Sequence, residues 1–113
     1  SGAEDIEKMM ADYRTNPPKS IAGLDVIMMK DYKLQKSYNF TNNTQEEIKL
    51  PKSNVLQFFT ADGSKITVRP SGTEPKIKFY FGVKGKLNSA AEFDTTTTDL
   101  RAKLDLIIKD LGI

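Results

Sequence analysis

"ITVRPSGTEPKIKFYF", residues 66–81, decides the fold, because it carries two alternating apolar runs joined by a short polar loop. In the second run Ile77, Phe79, Phe81 and Val83 fall on one side, and Lys76, Lys78 and Tyr80 on the other. That period of two is the signature of a strand with one face in the core. Between the runs lie Arg69, Ser71, Gly72, Thr73, Glu74 and Lys76, framed by Pro70 and Pro75. The loop is either a plain turn or a holder for something negatively charged.

Upstream, Asn54 to Thr60 and Lys65 to Arg69 form a predicted hairpin across "ADGS", residues 61–64, with Asp62-Gly63 as its turn. "LDVIMMKDY", residues 24–32, reads as a mostly buried strand with Gly23 at its entrance. From Ala3 to Arg14, Ile6, Met9, Met10 and Tyr13 share one helical face. Asn16-Pro17-Pro18 then stops the helix. Ser1-Gly2 has the character of an expression scar. Residues 33–53 show no steady periodicity and read as a long loop, functional or mobile. Two triplets in it, Asn39-Phe40-Thr41 and Asn42-Asn43-Thr44, match a glycosylation pattern by chance. Near the end, Leu100, Leu104, Ile107, Ile108 and Leu111 form an apolar helical stripe. That helix is expected over roughly 94–111, and Ser89 to Glu92 resembles a capping box ahead of it. The sum is an α+β domain: a four-stranded antiparallel sheet with both helices on one face, all in one domain spanning residues 1–113.

The totals narrow the function. The 113 residues suffice for one modest core. No apolar run approaches the ~18 residues of a membrane span, so no membrane partner is expected. With no cysteine and no histidine, thiolate and imidazole metal sites and the usual neutral-pH base are all missing. Asp25, Asp31 and Asp62 form no ligand cluster, so neither a metal site nor a catalytic group is expected in this chain. The net charge of +2 does not by itself imply nucleic acid. Five of the basic residues (Arg69, Lys76, Lys78, Lys84, Lys86) nevertheless gather around the loop with a single acid, Glu74. Phe79, Tyr80 and Phe81 beside lysines resemble an RNA-stacking strand, but two of the three rings point to the core, so RNA is not the favoured partner. The missing cysteines and the lack of a basic leader before an apolar stretch fit a cytoplasmic protein.

Read as chemistry, the loop has the parts of an anion site. Arg69 offers a planar fork that matches phosphate oxygens. Ser71 and Thr73 offer hydroxyls, and Gly72 permits positive φ and a close ligand approach. Successive amides in such a turn can form an anion nest. Lys76 and Lys78 leave on one face of the next strand. Ser71 to Glu74 also satisfies the capping-box pattern, but Pro75 and the strand-like "KIKFYF" oppose a helix start. Residue types alone leave turn and phosphate loop equally open.

At this point the sequence becomes familiar. "VRPSGTEPKIKFY", residues 68–80, closely resembles the phosphate-binding signature in the carboxy-terminal (fourth) domain of the α-D-phosphohexomutases, the phosphoglucomutase and phosphomannomutase family. "NPPKSIAGLDV", residues 16–26, is similar to the segment leading into that domain, and residues 50–81 to its central hairpin and loop. "LPKSNVLQF", residues 50–58, favours the phosphoglucomutase-like branch. The resemblance implies a TATA-binding-protein-like fold. It also implies a four-domain cytoplasmic isomerase that interconverts hexose 1-phosphates and 6-phosphates. In that family a phosphoserine, a magnesium loop and a sugar loop reside in other domains, and a hexose bisphosphate is the intermediate. Magnesium and the bisphosphate are therefore expected only of the full-length enzyme, with the other domains and a sugar phosphate as partners. Carried over by position, Arg69, Ser71, Gly72 and Thr73 match the phosphate-contacting stretch. Lys78 stands where many relatives have arginine, which keeps charge but loses the fork. Glu74 and Lys76 are supporting candidates, Glu74 as a group orienting Arg69. A stand-alone phospholigand- or RNA-binding module is the alternative.

Overall fold

A computed structural model describes residues 2–21, 23–82 and 89–94. Helix α1 spans Gly2–Thr15. Its acids Glu4 and Asp5 lie in the first turn and Arg14 in the last, each favourable to the helix dipole. Ile6 and Met10 are buried on one face, with Met9 and Tyr13 packed beside them, as the sequence spacing requires.

Eight strands follow: β1 (Ser20–Ile21), β2 (Leu24–Asp31), β3 (Lys36–Asn39), β4 (Thr44–Glu47), β5 (Leu56–Thr60), β6 (Lys65–Pro70), β7 (Lys76–Gly82) and β8 (Ser89–Asp94). They run in the order β4-β3-β2-β5-β6-β7-β8, with β1 paired to β2 off that path. Every pairing is antiparallel. The sheet therefore exceeds the four strands expected, in three places. Gly23, at φ 79°, turns the chain so that β1 pairs with β2.

Residues 33–53 are not a loop, because β3 and β4 form a hairpin within them. All four residues of β4 are exposed, so no apolar period marks it. Its turn is built by the two Asn-x-Thr triplets. In each, the Asn side-chain oxygen accepts both the Thr hydroxyl, at 2.6 Å, and the Thr amide. The triplets are thus Asx turns, in which an amide side chain replaces a backbone acceptor. Asn43 takes the left-handed conformation, φ 56°, that asparagine tolerates.

The third difference is β8. Ser89 to Glu92 does not cap a helix but pairs along β7. The expected helix over 94–111 falls, beyond Asp94, outside the described residues. One helix is thus described against the sheet.

The β5–β6 hairpin forms as expected across residues 61–64, with Gly63 at φ 87°. Asp62 accepts hydrogen bonds from the Thr60 hydroxyl (2.6 Å) and the Ser64 amide (3.0 Å). These hold its carboxyl below the ordinary value, the Thr60 bond contributing most. The core joins α1 to the inner sheet face: Val26, Met29, Leu56, Phe58, Ile66, Val68, Ile77 and Phe79 are buried against Ile6, Met10 and Ile21. Tyr13 meets Phe58 edge-to-face at 6.1 Å.

One polar group anchors the helix. Asp31, 1% exposed, accepts from Arg14 Nε at 3.2 Å and from the Lys33 and Leu34 amides at 3.0 and 3.2 Å. Arg14 Nη2 also donates to Asn54 Oδ1 at 2.6 Å. This set fastens the C-terminal end of α1 to the end of β2.

Candidate functional site

The inward set of β7, Ile77 and Phe79, fixes which way its neighbours face. Lys76, Lys78 and Tyr80 therefore stand on the outer face, half-buried. Antiparallel register places Arg69 directly opposite Lys78 and Thr67 opposite Tyr80. Two cations, exposed Arg69 and half-buried Lys78, thus lie side by side where β6 and β7 meet the loop.

The loop is closed by its own backbone. The Ser71 amide donates to the Lys76 carbonyl (2.9 Å), and the Lys76 amide to the Glu74 carbonyl (2.8 Å). The Thr73 amide reaches the Ser71 hydroxyl at 3.4 Å. Of the amides expected to form an anion nest, Ser71's is therefore occupied. Those of Gly72 and Glu74 donate to no protein acceptor among the described residues. Gly72 does not use the left-handed region, unlike Gly23 and Gly63. Its value is space: a Cβ built there would meet nothing within 4 Å.

Gly72→Ala is consequently expected to leave stability within about 0.5 kcal/mol of the parent, as measured by thermal melting. The added methyl would occupy the approach to the main chain, so anion binding at the loop, read by titration with inorganic phosphate, is expected to weaken.

Glu74 does not orient Arg69. Its carboxylate pairs with Lys76 Nζ at 3.2 Å, an exposed contact worth little in stability. Arg69 instead lies over the Tyr80 ring, its guanidinium carbon 6.0 Å from the centroid. By strand alternation alone Tyr80 is only the outward ring of its strand. The signal that could have found the contact is register, since Arg69 and Tyr80 are diagonal neighbours on one face. Phe79 is buried and cannot stack a base. Lys84 and Lys86 lie outside the described residues.

Behind the loop, Ser71 to Pro75 and the first turns of α1 (Ala3, Ile6, Glu7) border a cleft of about 340 Å³. Among the described residues no group of three or more carboxylates could hold a metal ion. Asp31 is engaged by Arg14, and Asp62 by its own turn. Nor is any described helix long and apolar enough to cross a membrane.

Comparison with known proteins bears on the same stretch. Residues 5–99 match the family described as phosphoglucomutase/phosphomannomutase, C-terminal domain. A phosphoglucomutase of Staphylococcus aureus strain MSSA476 is 43% identical over 83 residues, covering 74% of this chain and 15% of that protein. The phosphoglucomutase of strain MRSA252 is 38% identical over 103 residues, covering 91% of this chain and 18% of that protein. The chain thus spans less than a fifth of the length of these relatives. No solved structure matches it. A match that extends from α1 through the loop and β7 to residue 99 places the chain, as a C-terminal domain, in the phosphoglucomutase/phosphomannomutase family.

Proposed function

We propose that this chain is the substrate-phosphate clamp of a phosphohexomutase, phosphoglucomutase-like in preference. In this reading Arg69, Ser71, Gly72, Thr73 and Lys78 hold the phosphate of a hexose 1- or 6-phosphate that is not reacting, while phosphoryl transfer proceeds in other domains. The observation that carries it is the convergence of two cations in register, Arg69 and Lys78, with a loop whose Gly72 and Glu74 amides have no protein acceptor among the described residues. Fixed donors beside open space suit an anion that must be positioned but not attacked. Arg69 supplies a fork and Lys78 a point charge. Lys76, paired with Glu74, is a supporting neighbour and brings no further net charge.

The full-length protein would be a cytoplasmic isomerase, with this chain as one TATA-binding-protein-like domain closing over a cleft formed with the others. Magnesium and the hexose bisphosphate intermediate belong to that larger enzyme. Asp31 and Asp62, engaged as they are, do not fit as metal ligands here.

The test is a titration of the chain with hexose bisphosphate and with single-stranded RNA at two salt concentrations, beside an isomerisation assay with glucose 1-phosphate. Binding of the sugar bisphosphate without isomerisation is expected. Preferential RNA binding with a steep salt dependence would favour the module alternative. Isomerisation by the chain alone would overturn the clamp role.

A further inference from the structure

Resting on the clamp reading, we propose that Tyr80 is the positioning residue for Arg69, its ring holding the guanidinium in the orientation that receives the phosphate. Arg69 stands at the exposed end of β6, opposite a second cation, Lys78. Among the described residues no carboxylate restrains it, since Glu74 pairs with Lys76. What it does contact is the Tyr80 ring, at 6.0 Å. A ring face attracts the guanidinium and removes water from one side of it, leaving the donor edge directed outward. An arginine so restrained loses less side-chain freedom when it forms a bidentate contact.

Tyr80 is itself set against an ordered row across the sheet. Its register partner Thr67 accepts a hydrogen bond from Gln57 Nε2 at 3.1 Å, and Gln57 Oε1 accepts one from the Tyr32 hydroxyl at 2.6 Å. The row joins β5 and β6 to the residue just beyond β2. Burial raises the Tyr32 pKa, so its hydroxyl stays a donor at neutral pH. The Arg69 contact is made by the Tyr80 ring, so phenylalanine preserves it.

The test uses the full-length protein and glucose 1-phosphate, with Tyr80→Leu, Tyr80→Met, Tyr80→Phe and Arg69→Ala, each checked by thermal melting. Tyr80→Leu is expected to lower kcat/KM roughly five-fold, and Tyr80→Phe to restore it. In the Arg69→Ala background Tyr80→Leu should do nothing further, which a merely structural role would not produce. If the leucine variant melts early, Tyr80→Met takes its place with the same expectation. Parent-like kinetics for both, or a Tyr80 defect that persists without Arg69, would overturn the positioning role. Parent-like kinetics for Arg69→Ala would overturn the clamp reading itself, a separate outcome.

Discussion

Arg69→Ala in the full-length protein is expected to lower kcat/KM for glucose 1-phosphate by roughly a hundred-fold, from about 3 kcal/mol of lost charge-assisted hydrogen bonding. The folded state should be almost unaffected. Arg69 is exposed and forms no ion pair among the described residues, so the melting temperature should move by no more than ordinary surface substitutions allow. Separation of the two effects is the diagnostic feature. A loop that merely turned the chain would lose neither activity nor stability. Arg69→Lys is the informative companion, since it keeps the charge but replaces the fork by a point. An activity between parent and alanine would show that bidentate geometry matters as well as field. Steady-state kinetics with melting curves on the same preparations decide it, and unchanged kinetics for Arg69→Ala would remove the clamp.

Much of this was legible in the sequence where one face of an element is buried. Ile6 and Met10 gave α1, and Ile77 and Phe79 gave β7, because burial imposes a period that the chain must write into itself. The β3–β4 hairpin left no such trace. Thr44 to Glu47 are all exposed, and what holds them is pairing with β3 and the side-chain turns of Asn39 and Asn42. Strand β8 was hidden differently. Ser89 to Glu92 suits a helix start locally, but the open edge of β7 offers backbone partners, and tertiary pairing wins over a capping pattern.

The loop shows the same division. Residue types pointed to its donors, but which of them stay available depends on how the loop closes. Lys76 takes the Ser71 amide through its carbonyl and Glu74 through its ammonium. Neither contact has a periodic signature. The Arg69–Tyr80 pair is equally silent in one dimension and follows at once from register in two.

Asp31→Ala, although far from the loop, should be strongly damaging, costing about 3–5 kcal/mol. The alanine would strand Arg14, whose side chain is only 12% exposed, and leave the Lys33 and Leu34 amides without their acceptor. Against the 5–15 kcal/mol typical of a domain, such a loss takes a large share of the whole. Urea unfolding should show a lower midpoint with the slope unchanged, since the surface exposed on unfolding is the same. Asp31→Asn keeps an acceptor for the two amides but loses the charge and sets an NH2 donor where Oδ2 accepts from Arg14, so its loss should be smaller than that of alanine without vanishing. A cost under 1 kcal/mol for the alanine variant would mean that the core contacts of Ile6 and Met10 suffice to seat α1. The consequence reaches the loop, because the other end of α1 borders the cleft behind Ser71 to Pro75. Loosening the helix at Arg14 should therefore weaken sugar-phosphate use at temperatures where the fold still persists, through a support the phosphate never touches.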